Sequence, residues 1–327
     1  MRAAWFESFG SAHDVLEIGE QPTPTPAAGE VLVRLATSGV NPSDVKKRAG
    51  SFPNLLDGGF VIPNSDGAGV IEAVGDGVDA SRIGERVWVY QAQYGRRFGT
   101  AAECVAIDAS RAARLPDNSD FDVGACMGIP CMTAHRTVFS GGDVAGQTIL
   151  ITGAAGRVGH YATQWASQAG ATVIATASNA VDRRSCLDGG AAFVVNHRSD
   201  DVVDEIFAAT DGHKVDRIID LEFGANLATS LAVIAMSGTI VTYGSVAVPQ
   251  PILPFFDMMY LDLNLEFVIV YAMPEAAKEH AIRDIGEALA NDRLQHRIAE
   301  RRPLADIAEA NVLIEQGTLR GAVILDL

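Results

Sequence analysis

The sequence is poor in cysteine, and its few cysteines are not arranged as a metal site or a disulfide scaffold. Its 327 residues include four cysteines, at Cys104, Cys126, Cys131 and Cys186. They form no C-x-x-C pair and are too sparse to cross-link a chain of this length. We therefore predict four small buried thiols.

The chain also has fewer positive than negative side chains, and it has no long apolar run. It carries 25 Lys and Arg against 41 Asp and Glu, which gives a formal net charge of −16. Such a surface disfavours nucleic acid and anionic lipid, so neither a nucleic-acid nor a membrane partner is expected. No uncharged apolar run reaches the ~18 residues that cross a bilayer, and the N-terminus has no leader-like segment. A cytoplasmic location is the default expectation.

The first third of the chain is strand-rich. At this length two domains are expected, because one hydrophobic core seldom serves so many residues. Up to about residue 120, β-branched residues alternate with polar ones between glycine, proline and aspartate turns, as in 30–35, 69–75 and 85–90. Short strands at such spacing predict a small twisted barrel or sandwich.

After residue 116 the pattern changes to strands alternating with helices. This βαβ order predicts an α/β fold, with a doubly wound parallel sheet of the Rossmann type. The predicted strands are 148–152, 172–177, 193–196, 215–221 and 239–244, and the predicted helices are 158–169, 181–188 and 225–235. The alternation ends near residue 260, and an amphipathic helix at 275–291 and a strand at 321–327 follow.

A glycine-rich turn stands between the first predicted strand and helix of this region. The segment 153–159 reads GAAGRVG, in the strand–turn–helix order that a dinucleotide-binding fingerprint requires. Gly156 would let the main chain approach a pyrophosphate, and Gly159 would let helix and strand pack closely. Helix N-terminal N–H groups would then face the phosphates. Ala154 replaces the usual first glycine.

The end of the second predicted strand bears on the choice of coenzyme. An NAD site usually has Asp or Glu there to hold the ribose hydroxyls. Here the strand ends Thr-Ala-Ser-Asn at 176–179, and Arg183 and Arg184 follow. A hydroxyl and arginines without a carboxylate suit a 2′-phosphate, which favours NADPH over NADH. The alternative is that the arginines only coat a helix, which we expect of at least one.

Several further motifs, taken together, resemble the zeta-crystallin-type quinone oxidoreductases of the medium-chain dehydrogenase/reductase superfamily. The matching segments lie along essentially the whole chain, at 39–44 (GVNPSD), 62–70 (IPNSDGAGV), 74–75 (VG), 84–87 (GERV), 99–103 (GTAAE), 128–136 (GIPCMTAHR), 153–159, 196–197 (NH) and 317–325 (GTLRGAVIL).

The resemblance implies a domain plan and a set of site residues. It implies a GroES-like catalytic domain at 1–120, a Rossmann domain at 121–260 and a return to the catalytic domain at 261–327, with the cofactor in the cleft between them. It places Asn41 and Thr133 at the nicotinamide end. The cofactor-binding residues that it implies are Ala155, Gly156, Arg157, Val158, Ser178, Arg183, His197, Asn226, Tyr243, Gly244, Ser245, Val246, Val268, Ile269 and Val270.

The same resemblance implies a reductase that works without zinc. Zinc-dependent relatives have cysteine where this chain has Asn41, a His-Glu pair at 65–66 where it has Ser-Asp, and a four-cysteine lobe that it lacks. Neither catalytic nor structural zinc is therefore expected. Hydride would pass directly from the nicotinamide to the acceptor.

Two positions depart from the family pattern. Lys46 stands where a tyrosine near the nicotinamide is frequent; it could bind a phosphate, polarise a carbonyl or reach solvent. Near the C-terminus a frequent Gly-Lys pair reads Gly-Ala at 321–322. The acceptor side of the site is therefore expected to differ from that of the relatives.

Three functions remain open on these observations. The leading hypothesis is an NADPH-dependent reductase of quinones or related conjugated carbonyls, with the loop 90–98 as one wall of the acceptor site or only a solvated hairpin tip. An enoyl thioester or 2-alkenal reductase on the same scaffold is the second, with Arg96 and Arg97 attracting a phosphorylated carrier. The third is an NADPH-binding structural protein with little turnover. The resemblance also implies a homodimer.

Overall fold

The chain folds into two compact units in a computed structural model that describes residues 1–199 and 201–327. One unit comprises Met1–Ile129 and Ile282–Leu327, and the other comprises Pro130–Ala281. Both boundaries fall later along the chain than the expected positions at about 120 and 260. The chain returns to the first unit later than expected because the strand at Asn264–Phe267 still pairs with the parallel sheet of the second unit.

The helices and strands run as follows. The strands are β1 (Arg2–Trp5), β2 (Glu17–Glu20), β3 (Glu30–Val40), β4 (Asp66–Val74), β5 (Arg86–Val89), β6 (Cys104–Asp108), β7 (Ala112–Arg114), β8 (Thr148–Ile151), β9 (Thr172–Thr176), β10 (Phe193–Val195), β11 (Val215–Asp220), β12 (Ile234–Thr242), β13 (Asn264–Phe267), β14 (Ile298–Pro303) and β15 (Ala322–Asp326). The helices are α1 (Ala12–Val15), α2 (Pro42–Arg48), α3 (Phe121–Gly124), α4 (Thr133–Phe139), α5 (Arg157–Gln168), α6 (Ala180–Asp188), α7 (Val202–Ala209), α8 (Phe223–Val233), α9 (Phe255–Tyr260), α10 (Glu275–Ala290) and α11 (Ile307–Gln316).

The first unit is built on a mostly antiparallel sheet. Its strand order is β14-β15-β3-β4-β5-β7, and β6 also pairs with β3. The long pair β3–β4 shifts register twice, and such irregularities increase strand twist. Gly69 permits the close approach of these strands, since a side chain there would overlap the carbonyl oxygen of Arg34. Burial in this sheet does not simply alternate, because the consecutive residues Val87, Trp88 and Val89 of β5 are all fully buried.

The second unit contains a six-stranded, all-parallel sheet. Its order is β10-β9-β8-β11-β12-β13. From β8 the chain adds β9 and then β10 on one side of the sheet, and it then adds β11, β12 and β13 on the other side. The switch point therefore lies between β8 and β11. Ligands of such sheets bind beyond the carboxyl ends of the strands at this switch point. The predicted doubly wound α/β fold is confirmed, and the glycine turn follows β8 directly.

Sequence reasoning missed four elements of the second unit. These are α4, α7, α9 and β13. In β13, Asn-Leu-Glu-Phe mixes polar residues with an exposed Phe267, because this edge strand pairs on one side only among the described residues. The buried strand β8 gave a clearer signal because three of its four side chains are apolar and buried, and β11 contains the buried apolar residues Val215, Ile218 and Ile219.

Two expectations from composition can be compared with the structure. All four cysteines are free and buried, as predicted. Within the described parts of the chain, no helix has both the length and the apolar character needed to span a bilayer.

Candidate functional site

The glycine turn after β8 has the geometry that the fingerprint predicts. Gly153 adopts a left-handed conformation with φ of 58°, which disfavours other residues. Its N–H donates to Thr176 Oγ1 at 3.0 Å, which ties the turn to the neighbouring strand β9. A side chain at Gly159 would lie 2.7 Å from Ala154 Cα and overlap the Gly153 carbonyl oxygen. Glycine is therefore required at 159 for helix α5 to pack this closely on the turn.

The N-terminus of α5 provides an electrostatically suitable place for phosphate. Gly156 is the N-cap in extended conformation, and no acidic side chain lies in the first turn. The first N–H groups of any helix have no partner within the helix, and they carry a partial positive charge. Ala155, Gly156, Arg157 and Val158 form this segment. The Gly156 N–H donates to the Gly153 carbonyl oxygen at 2.8 Å and closes the turn, so the main-chain groups that fit a pyrophosphate are those around it.

A buried carboxylate supports the turn from the adjacent strand. Asp220, the last residue of β11, is completely buried. Its Oδ1 accepts hydrogen bonds from Thr152 Oγ1 at 2.6 Å, from the Glu222 N–H at 3.0 Å and from Asn226 Nδ2 at 2.8 Å. Among the described residues its Oδ2 has no hydrogen-bond partner. Asp220 thereby links the strand before the glycine turn to the start of α8.

Asn226, which the resemblance assigns to the cofactor, takes part in this network. Its amide nitrogen donates to Asp220 Oδ1, and its contact with the cofactor stays a prediction. Tyr243 lies close to the same carboxylate. Burial of its hydroxyl and the negative charge of Asp220 raise the pKa of Tyr243 above its usual range. The phenol therefore stays protonated and can act as a hydrogen-bond donor at neutral pH.

The expected adenosine-end residues follow strands β9 and β10. Ser178 is half-buried, whereas Arg183 in α6 and His197 after β10 are exposed. Arg183 donates to the carbonyl oxygen of Val194, the middle residue of β10. The acid nearest to the end of β9 is Asp182, which is buried and accepts a hydrogen bond from Asn179 Nδ2 at 2.8 Å.

Several expected nicotinamide-side residues line one cavity in the second unit. The cavity has a volume of about 440 Å³, and its lining includes Tyr243, Gly244, Ser245, Val268 and Ile269. The Ser245 hydroxyl accepts from the Gly224 N–H at 2.9 Å, which fixes the loop after β12. The other two expected residues in these segments differ in burial, since Val246 is exposed and Val270 is buried.

The first unit holds a second polar cluster at the N-terminus of α2. Asn41 is 3 % exposed and is the N-cap of that helix. Its amide nitrogen donates to Asp66 Oδ2 at 2.9 Å, and its main-chain N–H donates to Asp44 Oδ2 at 2.9 Å. The N–H of Ile129 also donates to Asp66 Oδ2, at 2.8 Å. Asn41 is therefore held rigidly by two buried carboxyl groups.

The ionisation of this cluster is strongly perturbed. Burial, and then the charge of Asp44, raise the pKa of Asp66 well above its ordinary value. Burial raises the pKa of Asp44, although Lys47 opposes that effect. Burial lowers the pKa of Lys47, against the attraction of Asp44 and Asp66. Both carboxyl groups are therefore harder to ionise than free ones, and at Asp66 the repulsion from Asp44 adds to the effect of burial.

The two lysines of α2 have different environments. Lys46, the departure noted in the sequence, is exposed. Lys47 is 4 % exposed, and its Nζ donates to the Gln93 carbonyl oxygen at 2.7 Å and to Ser65 Oγ at 3.3 Å. Thr133, the other expected nicotinamide-end residue, is the buried first residue of α4 in the second unit.

The donor set at the family's catalytic zinc position does not fit that metal. Zinc prefers cysteine sulfur and histidine nitrogen. The corresponding residues are Asn41, Ser65 and Asp66, and the amide of Asn41 is hydrogen-bonded to the carboxyl of Asp66. These three side chains therefore do not form a zinc site of the kind found in the zinc-dependent relatives.

Sequence reasoning missed Asp44, Lys47, Asp66 and Asp220 as site residues. An acid at the end of the apolar strand Ile-Ile-Asp was a usable signal for Asp220, since polar residues there face a ligand or a turn. No such signal distinguished Lys47 from Lys46, because two adjacent lysines on a short helix look alike in sequence.

Two family models match most of the chain and indicate its superfamily. Residues 27–117 match the family model described as alcohol dehydrogenase GroES-like domain, and residues 158–287 match the one described as zinc-binding dehydrogenase. A GroES-like domain joined to a Rossmann-type domain defines the medium-chain dehydrogenase/reductase superfamily.

Individual relatives indicate which family within this superfamily the chain resembles. The quinone oxidoreductase of Homo sapiens is 34% identical over 248 residues, which cover 75% of this chain and 73% of the relative. A mycobacterial protein solved in complex with NADPH is 28% identical with a TM-score of 0.87, and the match covers 100% of both chains. A polyketide synthase subunit of Mycobacterium tuberculosis is 27% identical over 325 residues, which cover 96% of this chain but 14% of that subunit. The chain belongs to the quinone oxidoreductase family, and it is an enzyme of the oxidoreductase class.

Proposed function

We propose that the protein is a zinc-independent reductase that transfers hydride from NADPH to a quinone or a related conjugated carbonyl. The observation that carries the proposal is the glycine turn at the switch point of the parallel sheet, followed by a second strand whose end has no carboxylate. The human relative named as a quinone oxidoreductase and the mycobacterial structure with NADPH support both halves of the proposal.

The coenzyme would be held mainly by main-chain groups. The main chain at 155–158 would bind the pyrophosphate, while the Gly156 N–H stays bonded to the Gly153 carbonyl oxygen. Ser178, Arg183 and His197 would bind the adenosine 2′-phosphate. Tyr243 to Val246 and Val268 to Val270 would lie along the nicotinamide ribose and ring. Asp220 would keep Thr152 and Asn226 in place and so hold the glycine turn in its binding shape. Such local donors are needed because the overall charge of −16 repels an anionic coenzyme.

The chemistry would rely on positioning rather than on a dedicated acid. Bound NADPH supplies a hydride, and an electron-poor quinone accepts it. The reduced oxygen can take its proton from water. Asn41, fixed by Asp44 and Asp66, would orient the nicotinamide end together with Thr133, while Lys46 would lie on the acceptor side. Rigid placement of two reactants accounts for a large share of such rate enhancements.

Zinc independence is part of the proposal. An amide, a hydroxyl and a buried carboxyl whose pKa is raised form a poor zinc site, because zinc sites are built mainly on cysteine thiolate and neutral histidine nitrogen, and a carboxyl group must be ionised to bind the metal. We expect activity to survive exhaustive treatment with a chelator.

A second candidate is reduction of an enoyl thioester or 2-alkenal. The match to one segment of a polyketide synthase subunit favours it. A panel of quinones, 2-alkenals and crotonyl thioesters, followed by NADPH absorbance, separates the two. Reduction of thioesters alone would reject the quinone assignment. Tight NADPH binding without oxidation by any acceptor would instead indicate the structural-protein hypothesis.

We further propose that two copies associate through the second unit. Strand β13 ends the parallel sheet, and in the described chain it pairs with β12 alone. Large apolar side chains are exposed beside it at Ile252, Phe255, Phe256, Tyr260 and Phe267. Within this set the rings of Phe255, Phe256 and Tyr260 contact one another, at 5.4 and 6.3 Å between centroids. Exposed apolar clusters and unpaired edge strands both favour contact with another chain. A soluble cytoplasmic homodimer with a small-molecule acceptor remains our expectation.

A further inference from the structure

The first unit contains a cavity that the coenzyme assignment does not use. It lies between segments 52–58 and 93–97, it also contacts Lys47, and its volume is about 560 Å³. This is a size typical of small-molecule sites. We call it the 52–97 cavity.

The charge of the 52–97 cavity is opposite to that of the protein. Three cationic side chains contribute to it, Lys47, Arg96 and Arg97, and none of the described residues that line it is acidic. This occurs in a chain with a formal net charge of −16. Cations gathered in a concave, partly desolvated site attract anions far more strongly than scattered surface charges do.

The three cations differ in how far carboxylates neutralise them. Lys47 faces the buried Asp44 and Asp66, and Arg96 has Glu30 at 3.9 Å. Arg97 forms no ion pair with any residue in 1–199 or 201–327. Instead it donates to the Phe60 carbonyl oxygen at 2.9 Å and lies over the Phe60 and Phe98 rings at 5.4 and 5.1 Å. Arg97 is thus the uncompensated charge of the cavity.

Other parts of the cavity suit a flat apolar group. Phe52 and Tyr94 are 45 % and 40 % exposed in spite of their size. Leu55 and Pro53 complete an apolar wall, and Gly58 leaves room for the Arg97 side chain beside it. Aromatic side chains beside a guanidinium bind planar rings through stacking and bind anions through charge.

We infer that the 52–97 cavity binds the electron acceptor and selects a planar aromatic acceptor that carries an anionic substituent, through Arg97. This inference rests on the proposed reductase function, whose acceptor class it narrows. The aromatic wall receives the ring, and Arg97 receives the sulfonate, carboxylate or phosphate group attached to it.

The kinetic test compares a neutral naphthoquinone with the same ring carrying a sulfonate, with NADPH saturating. In Arg97→Gln we expect KM for the sulfonated quinone to rise about tenfold or more, as for loss of one charge-assisted bond. KM for the neutral quinone should change less than about twofold. Arg97→Lys should restore most of the loss because it retains the charge. Arg114→Gln, the same change at an exposed position of β7, is the matched control and should alter neither KM.

A binding measurement separates this inference from the proposed function. Calorimetry with naphthalenesulfonate, which cannot be reduced, tests the cavity without turnover. Binding that Arg97→Gln weakens about tenfold supports the cavity assignment even if no quinone is reduced. Reduction of both quinones with equal response to Arg97→Gln, and no naphthalenesulfonate binding, overturns the inference and leaves the reductase function standing. If Arg97→Gln affects only a coenzyme A thioester, the assignment of an aromatic acceptor is wrong.

Discussion

Substitution of Gly159 by alanine gives a quantitative test of the coenzyme site. The new Cβ would lie 2.7 Å from Ala154 Cα, about 0.7 Å inside the 3.4 Å at which ordinary contact begins. It would also overlap the Gly153 carbonyl oxygen. Both obstacles are main-chain atoms of the glycine turn, so no side chain can move aside, and α5 must shift away from the turn by roughly this distance.

That shift determines the expected loss of affinity. A main-chain N–H bonded to a phosphate at about 2.9 Å would be displaced to about 3.6 Å, beyond hydrogen-bond range. If two such charge-assisted bonds are lost, at about 1.5 kcal/mol each, NADPH binding weakens by about 3 kcal/mol. This corresponds to a dissociation constant roughly 100-fold higher. The unfolding free energy should also fall, by about 1 to 3 kcal/mol of overpacking strain.

The assay is titration of the enhanced NADPH fluorescence, with thermal unfolding measured in parallel. Gly286→Ala is the matched control, because Gly286 lies within α10 and nothing is within 4 Å of a Cβ built there. That change should leave NADPH affinity unaltered and stabilise the protein by about 0.5 to 1 kcal/mol. A Gly159→Ala protein that is folded and binds NADPH as tightly as the original would refute the reasoning.

Three further predictions test the coenzyme, the buried carboxyl and the interface. Arg183→Ala should weaken NADPH about 10- to 100-fold and NADH little, while Arg184→Ala, whose side chain pairs with Asp188, should not change the ratio of the two constants. Burial raises the pKa of Asp66, so above about pH 4 this carboxyl group binds more protons in the folded than in the unfolded chain, and its contribution to stability falls as pH rises. Urea unfolding measured across pH should therefore show a smaller fall in stability for Asp66→Asn. An identical pH dependence in the two proteins would contradict the assignment. Phe256→Glu should yield monomers in sedimentation experiments, and an unchanged mass would reject the interface.

The sequence alone determined the class of fold and the place of the glycine turn. Buried parallel strands such as Thr148–Ile151 consist of nearly continuous apolar residues, and their alternation with helices leaves few topologies. The glycines at 153–159 could be interpreted because their conformational requirements are local. The coenzyme residues beyond the turn depended on family resemblance and remain predictions.

Only the tertiary structure decided which polar residues support these sites. Asp220 meets Thr152, and Asn41 meets Asp66, through contacts between residues that are 68 and 25 positions apart. Lys47 rather than its neighbour Lys46 is buried because its face of α2 is the one turned toward Ser65 and Gln93, and the sequence of two adjacent lysines does not indicate which face that is. The edge strand β13 was missed for the same reason, since its place in the sheet depends on pairing with β12 and its own residues have weak strand character. Local conformation can be predicted from neighbouring residues, whereas burial and ionisation depend on distant segments that come together only in the folded chain.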